Sequence, residues 1–287
     1  MNFINRDKIF KMFLYFFAFV GVVFIAVFLS MQFNLLNVRG SIDDRNEFFG
    51  TVPETNNANS CLSSSTENTN KSVCSWIDTA EWKVVKEGLT KDAEIIKEVS
   101  LKTGVSARMI ASAVVPEQIR FFTSNRESFK RYFEPMKLLG SMSQFSLGVS
   151  GIKQETAEGI EKYANDPASE FYPGDNIAEL FTYPTNVNKN TELYNRLTDS
   201  KNHYYSYLYT AVYLKEIEMQ WSRSGFEVKD RADVLVTLFN LGFNASKPKE
   251  NPKVAGSIVT VGGNDYTFGS LGTAFYNSNE LKEVFPY

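Results

Sequence analysis

Residues 106–118 read SARMIASAVVPEQ, an apolar run that ends in one carboxylate, Glu117. Ser106 is a residue type that caps helix N-termini, and the apolar positions after it predict a helix buried over most of its surface. We expect Pro116, which has no amide hydrogen, to distort or end this helix just before the glutamate. The carboxyl of Glu117 is then either an exposed charge at a helix end or a poorly solvated group that stays protonated and can act as a general acid.

The next informative stretch, residues 146–157, reads SLGVSGIKQETA. Its two glycines, Gly148 and Gly151, predict a tight turn, because glycine adopts backbone conformations that other residues avoid. A helix over residues 155–163 is expected to follow the turn. An apolar helix, a glycine-rich turn and a second helix are therefore predicted in this order.

The composition excludes several classes of function. The 287 residues carry a formal net charge of −3, so nothing indicates a basic face for nucleic acid. One histidine, His203, and two cysteines rule out a His-rich metal site, and a Ser-His-Asp triad would depend on that single histidine. We therefore expect no metal, no other cofactor and no nucleic-acid partner.

The N-terminal region has the pattern of a membrane anchor. Residues 1–11 are basic, and the residues from Met12 to Met31 carry no charge. About twenty helical residues span about 30 Å, the thickness of the hydrocarbon core of a membrane. The run is too long for a cleaved signal peptide, and no small-x-small cleavage site follows it. The sequence predicts a cytoplasmic N-terminus at residues 1–11, a single transmembrane signal-anchor at residues 12–32 of the inner or cytoplasmic membrane, and a periplasmic or otherwise extracytoplasmic remainder.

Residues 33–76 are predicted to form a polar tether. Between Thr55 and Ser75 asparagine, serine and threonine predominate, and the apolar residues are too few to offset the entropy lost on ordering. Cys61 and Cys74 lie in this tether, and in an exported segment such a pair predicts a structural disulfide.

Residues 77–287 are predicted to form one mainly α domain with one small β-element. Thr90 is expected to cap a helix that Gly104 ends, and residues 164–198 are expected to be irregular and rich in turns. Further helices are predicted at residues 126–140, 203–223, 231–241 and 270–284, and a C-terminal β-hairpin at residues 257–261 and 265–268 around Gly262-Gly263-Asn264.

Four short pieces of this domain occur in a fixed order. They are Glu117-Gln118 after the apolar helix, Ser146-Leu147-Gly148 continuing through Ile152-Lys153 to Thr156-Ala157, then Ala211 with Tyr213 and Leu214, and finally Phe239-Asn240-Leu241-Gly242. This order resembles the lytic transglycosylases of the lysozyme superfamily (glycoside hydrolase family 23, the SLT domain). The resemblance covers roughly residues 90–245.

The resemblance implies an α+β, lysozyme-like catalytic domain and an activity. It implies a membrane-anchored peptidoglycan lytic transglycosylase that cleaves the β-1,4 bond between N-acetylmuramic acid and N-acetylglucosamine and forms a 1,6-anhydro product. In the family one glutamate, here Glu117, acts first as acid and then as base, without the second carboxylate of most glycosidases. The partners implied are peptidoglycan glycan strands and an unidentified envelope machinery. The substrate-binding positions implied are Gln118, Ser146, Gly148, Gly151, Ile152, Tyr213, Phe239 and Asn240.

The chain departs from the family pattern at several of these positions. Gly151 stands where the family has glutamine, Ser150 where it has methionine, Phe239 where it has tyrosine, and Gln118 where it has serine. These changes remove polar contacts to sugar and leave the proposed acid in place.

Three alternatives therefore stay open. A lysozyme-type hydrolase would use the same glutamate but would leave a reducing-end muramic acid in place of the 1,6-anhydro product. A catalytically weak or inactive peptidoglycan-binding or assembly module would keep the fold without turnover. A purely structural, membrane-tethered helical protein would have no affinity for glycan.

Overall fold

The structure is a computed structural model and describes residues 6–32, 76–123, 146–199 and 201–287. Helix α1, Arg6–Gln32, belongs to one compact unit, and the residues from 76 onward belong to another. The predicted Cys61–Cys74 disulfide and the predicted helix at residues 126–140 lie outside the described residues.

Helix α1 includes the uncharged run from Met12 to Met31, so the helical part of the N-terminal prediction is confirmed. None of the described helices, however, combines the length and the apolar character needed to cross a membrane. The structure therefore does not confirm the predicted transmembrane helix.

The second unit confirms the predicted mainly α architecture with small β-elements. Its described residues form two antiparallel two-stranded sheets, β1 with β2 and β3 with β4. In chain order the elements are α2 (Ala80–Lys91), α3 (Ala93–Thr103), α4 (Ala107–Thr123), β1 (Ser146–Leu147), β2 (Ile152–Lys153), α5 (Gln154–Ala164), a 3₁₀ turn (Ala178–Phe181), α6 (Lys189–Thr198), α7 (Tyr204–Arg223), α8 (Ala232–Leu241), a second 3₁₀ turn (Phe243–Ala245), β3 (Ile258–Val261), β4 (Asn264–Thr267) and α9 (Phe268–Asn277).

Helix α4 is the central element of this unit. It contacts α2, α3, α7, α8, α9 and β3. Its residues from Met109 to Val115 are all buried, as the apolar sequence predicts for a helix that is covered on most sides. Ser106 caps it as expected, because the Ser106 hydroxyl accepts a hydrogen bond from the Met109 backbone N–H at 3.2 Å.

The prediction that Pro116 ends the helix is wrong, because α4 continues past Glu117 to Thr123; a distortion of the helix at Pro116 stays a prediction. A proline at this position leaves the carbonyl of Ser112 without its usual helical donor. Helix α9 packs directly on that carbonyl: a Cβ added to Gly272 would lie 2.6 Å from the Ser112 oxygen. Packing against α9 thus supports α4 at the point where proline interrupts its hydrogen bonds.

The predicted helix start at Thr90 is also wrong. Thr90 lies inside α2, where its hydroxyl donates to the Lys86 carbonyl at 2.7 Å. The break between α2 and α3 occurs at Asp92, whose carboxylate contacts His203 Nδ1 at 2.6 Å and accepts the Tyr207 hydroxyl at 2.8 Å. Burial acts to raise the pKa of Asp92, but these hydrogen bonds outweigh it and lower that pKa, while the bond to Asp92 raises the pKa of His203.

Helix α9 begins and ends earlier than the predicted 270–284, and Arg108 of α4 explains the early end. The Arg108 side chain is 0% exposed and donates to backbone carbonyls of the C-terminal segment. These carbonyls belong to Phe275, Tyr276, Ser278, Glu280 and Phe285. Because the last carbonyls of α9 bond to a guanidinium, they need no further helical turn, and the tail packs into the domain.

The remaining helix predictions differ in outcome. The predicted helices at 155–163, 203–223 and 231–241 and the hairpin at residues 257–268 are confirmed. The predicted irregularity of residues 164–198 is wrong in part, because α6 lies within them. Asn188 caps α6 by accepting the Thr191 N–H at 3.0 Å, and Leu193 and Leu197 bury one face of it.

Candidate active site

Glu117 projects from α4 and is only 7% exposed. One carboxylate oxygen, Oε2, pairs with the guanidinium of Arg120, one turn later on the same helix. The other oxygen, Oε1, faces the backbone of Gly151: a Cβ added there would lie 2.2 Å from Oε1 and 2.3 Å from the carboxyl carbon. The carboxylate is thus enclosed by a cation and by a glycine backbone.

The turn between β1 and β2 supplies that glycine. Gly151 has a φ of +63°, a conformation that residues with a Cβ rarely adopt, and its N–H donates to the Gly148 carbonyl at 3.4 Å. Gln118 of α4 donates its side-chain N–H to the carbonyl of Val149 in the same turn. Two consecutive residues of α4, Glu117 and Gln118, therefore contact the turn.

The other side of this turn packs against α6 and α7. A Cβ on Gly148 would lie 2.1 Å from the carbonyl oxygen of Leu197 and 2.4 Å from the hydroxyl of Ser206. The buried Ser150 hydroxyl donates to the Ser206 carbonyl at 3.1 Å. Contacts on both sides hold the turn against α4, so both glycines are required by close approach of other groups.

We expect Gly151→Ala to lower the free energy of unfolding by about 1–3 kcal/mol, because the new methyl group would collide with the Glu117 carboxyl in a strained backbone conformation. Urea denaturation measures this change. Gly88→Ala is the matched control, since a Cβ at Gly88 in α2 would meet nothing within 4 Å. Equal stability of the two variants would show that the backbone of Gly151 is not in close contact with the Glu117 carboxyl.

Asn240 of α8 reaches the site through two other side chains. Arg120 donates from Nη1 to the hydroxyl oxygen of Ser257 at 2.8 Å. Ser257 in turn donates its backbone N–H and its hydroxyl to the Asn240 side-chain oxygen, at 2.8 and 3.2 Å. The structure therefore connects Glu117 and Asn240 by a continuous set of polar contacts.

The other predicted substrate-binding residues lie in the core or in the hairpin. The Tyr213 ring packs against Phe239 and Phe243, with centroid separations of 5.4 and 4.3 Å, and burial raises the pKa of Tyr213. Phe239 and Ile152 are buried, and Ser146 pairs with Lys153 across β1 and β2. The structure thus brings Glu117, Gln118 and Gly151 into contact, while Tyr213 and Phe239 contribute to the packing of α7 against α8.

Arg120 and Ser257 were not among the predicted site residues. Arg120 could have been found, because residues three apart on a helix are neighbours and a glutamate followed by an arginine at this spacing forms ion pairs. Ser257 had no local signal. Its contact with Arg120 joins residues that lie far apart in the chain, just before β3 and within α4.

The fully buried carboxyl of Glu216 in α7 was also not predicted. Glu216 is 0% exposed, and among the described residues neither of its carboxyl oxygens has a hydrogen-bond partner. Burial raises its pKa well above the ordinary value, and its electrostatic neighbours are Tyr163 and Tyr213. A fully buried group cannot contact a polymer, so we assign Glu216 no part in substrate chemistry.

We expect Glu216→Met to stabilise the domain by about 1–4 kcal/mol near pH 8, because methionine fills similar space without a polar group. The raised pKa means that the wild type holds a proton that the unfolded chain releases, so wild-type stability falls as the pH rises above about 4.3. Urea denaturation should show a larger difference at pH 8 than at pH 5. Glu87→Met, at an exposed position of α2, is the control; the same stability difference at both pH values would contradict the assignment.

An open pocket of about 630 Å³ lies elsewhere, between α3 and the start of α7. It is lined by Ile95, Glu98, Lys102, Leu180, Lys201, Asn202, Tyr204 and Tyr205. Lys102 already bonds to Glu98 at 2.7 Å and to Tyr204 at 3.0 Å. The pocket contains no predicted site residue, and we therefore place the candidate site at Glu117.

Within the part of the chain that the structure describes, no group of three or more His, Cys, Asp or Glu side chains could hold a metal ion. No protein-family model, no curated protein and no solved structure matches the chain. A function can therefore be inferred from the sequence pattern and from the geometry around Glu117.

Proposed function

We propose that this chain is a membrane-anchored peptidoglycan lytic transglycosylase with a lysozyme-like catalytic domain. The observation that carries the proposal is the enclosure of the Glu117 carboxylate against the β1–β2 turn. Two of the four sequence pieces that carry the resemblance meet at this carboxylate, and a third reaches it through Ser257 and Arg120. Sequence pieces that are each a weak signal alone are therefore connected to the same carboxyl group, that of Glu117.

The chemistry needs a single carboxyl at this place. The protonated Glu117 donates its proton to the glycosidic oxygen as the bond from that oxygen to C1 of N-acetylmuramic acid breaks. The resulting carboxylate then takes the proton of the C6 hydroxyl of the same sugar while the C6 oxygen bonds to C1. The products are a 1,6-anhydro end and a free hydroxyl on N-acetylglucosamine, Glu117 is protonated again, and no water is consumed.

The geometry around Gly151 changes how this departure from the family is interpreted. The family glutamine would place side-chain atoms where the Glu117 carboxyl lies, since even a Cβ would be 2.2 Å from Oε1. Glycine here is therefore required by the position of the glutamate, and its presence is compatible with catalysis. Phe239 likewise fills apolar space against Tyr213.

One observation favours a second candidate, a catalytically weak or inactive peptidoglycan-binding or assembly module. The Glu117 carboxyl is only 7% exposed, with Arg120 against one oxygen and the Gly151 backbone against the other, so a glycan strand can bind at this surface without its glycosidic oxygen reaching the carboxyl. On this candidate the same surface binds glycan strands without cleaving them.

Peptidoglycan glycan strands are the proposed partner, together with an envelope machinery of unidentified composition. Anchoring in the inner or cytoplasmic membrane, with the N-terminus cytoplasmic, is proposed from the uncharged run between Met12 and Met31 and the basic residues before it. If the full-length chain stays in the membrane fraction after alkaline carbonate extraction, the membrane anchor is supported. If all of the chain is released from the membrane, the anchor is no longer part of the proposal.

The test of function is a digest of purified sacculi by the full-length chain, analysed by mass spectrometry. Release of 1,6-anhydro-muropeptides is the expected result. Reducing-end muramic acid would redirect the assignment to a lysozyme-type hydrolase. Binding to sacculi without product would favour the inactive module, and absence of both would leave a structural helical protein.

A further inference from the structure

Four polar side chains from three parts of the domain form one hydrogen-bonded set, which we call the Arg120 network. It consists of Glu117 and Arg120 in α4, Ser257 before β3, and Asn240 in α8. The side chains of Glu117 and Arg120 are only about a tenth exposed, at 10% and 12%. The network therefore lies at the edge of the core, where few water molecules compete for its hydrogen bonds.

The direction of each hydrogen bond in the network is determined. The Asn240 side-chain oxygen is an acceptor, so the hydroxyl hydrogen of Ser257 points toward it. This leaves the lone pairs of the Ser257 oxygen for the Arg120 Nη1 donor at 2.8 Å. The Ser257 backbone N–H, at 2.8 Å from the same Asn240 oxygen, fixes the serine in place.

Surrounding groups leave this arrangement little freedom. The Arg120 guanidinium carbon lies 5.6 Å from the centroid of the Phe268 ring. Gly256, at a φ of +110°, lets the chain approach closely enough for Ser257 to reach α8: a Cβ there would lie 2.9 Å from the Asn240 oxygen. The guanidinium that meets Glu117 is thus itself held by a hydroxyl and an aromatic face.

We infer that Arg120 is a positioning residue for Glu117, and that the side-chain oxygen of Asn240 acts through Ser257 and Arg120 and does not bind the sugar. This inference rests on the proposed function. The resemblance assigns Asn240 to substrate, but its side-chain oxygen already accepts two hydrogen bonds from Ser257. A catalytic carboxyl must be held to within a fraction of an ångström, and a misplacement of about 1 Å costs about 10²-fold in rate.

The experiment measures muropeptide release and sacculus binding by full-length variants. Arg120→Ala should lower kcat about 10²-fold while binding stays unchanged. Guanidinium ion added at millimolar concentration should restore part of this loss, and Arg120→Lys should retain more activity than Arg120→Ala. Neither recovery is expected if Arg120 only supports the fold. Arg231→Ala is the matched control, because Arg231 is an exposed arginine that pairs with neighbouring Asp233, at 2.6 Å.

The role of Asn240 is tested by combining substitutions. Asn240→Ala should lower kcat, Ser257→Ala should lower it about tenfold, and neither should reduce turnover further in the Arg120→Ala background, because all three act by one route. Weaker sacculus binding by the Arg120→Ala/Asn240→Ala double variant than by Arg120→Ala alone would show that Asn240 contacts the substrate directly.

The outcomes distinguish a failure of this inference from a failure of the proposed function. If the wild type releases no product, the proposed function fails and the inference fails with it. If the wild type is active and Arg120→Ala matches it within twofold or exceeds it, only the inference fails. If Arg120→Ala does not fold, Ser257→Ala carries the test, since it removes one hydroxyl and leaves the charge pair, and wild-type turnover in that variant would overturn the inference.

Discussion

Glu117→Gln should lower the release of 1,6-anhydro-muropeptides from sacculi by about 10³-fold, because an amide can neither donate nor take the proton of the reaction. The fold should be unaffected. Glutamine has the shape of glutamate, its oxygen can still accept from Arg120, and it still fits against Gly151. Mass spectrometry of the soluble muropeptides measures the activity, and thermal denaturation checks that the variant is folded.

The matched control for this prediction is Glu155→Gln, which removes an exposed carboxylate at the start of α5 near the same hairpin. It should release product at the wild-type rate. Glu117→Gln with wild-type activity would exclude Glu117 as the acid and base, and sacculus binding that is retained without turnover is what the proposed mechanism requires of it.

Arg108→Met should destabilise the domain by about 3–5 kcal/mol, the largest effect on stability that we expect from one substitution. The guanidinium donates to five backbone carbonyls of the C-terminal segment, at 2.6 to 3.2 Å. Methionine would remove the guanidinium donor from all five carbonyls, and within the described residues Phe275 alone would keep other donors, the backbone N–H and hydroxyl of Ser278 at 3.0 and 2.8 Å. The segment after α9 would lose its hydrogen bonds to α4. Urea denaturation of the full-length chain, followed by tryptophan fluorescence, measures the loss.

Arg223→Met is the control for this substitution. Arg223 also donates to two backbone carbonyls, those of Glu170 and Tyr172, at 2.8 and 2.6 Å, but it does so at an exposed position where water can replace it. Its replacement should cost about 1 kcal/mol or less. An equal loss of unfolding free energy in the two arginine variants would contradict the expectation that burial makes the Arg108 hydrogen bonds more stabilising.

Local chemistry predicted several elements of the fold correctly. The serine cap of α4, the left-handed Gly104 that ends α3 and the Gly262-Gly263 turn between β3 and β4 are all set by residues close to each other in sequence. The periodic apolar pattern of α7 likewise predicts its length. These features depend on capping, turn geometry and helical period, which the chain carries without reference to other elements.

Elements that depend on partners elsewhere in the chain were predicted wrongly or missed. Pro116 does not end α4, because the helix is held by α9 and the other helices around it. Helix α6 is mostly polar and was not expected, although Leu193 and Leu197 at a spacing of four and the Asn188 cap are signals for it. At Pro116 tertiary packing outweighs the local preference of proline against a helix interior, which is about 3 kcal/mol.

The residue types of the candidate site and their order along the chain could be read without the structure. A lone glutamate on an apolar helix, a glycine-rich turn after it and an asparagine at the end of a later helix are properties of the chain. The Glu117–Arg120 pair also follows from helical spacing. Only the tertiary structure placed the backbone of Gly151 against the Glu117 carboxylate and linked Asn240 to Arg120 through Ser257. The physical reason is that these contacts join residues far apart in sequence, and their geometry depends on how α4, α8 and the two hairpins pack together.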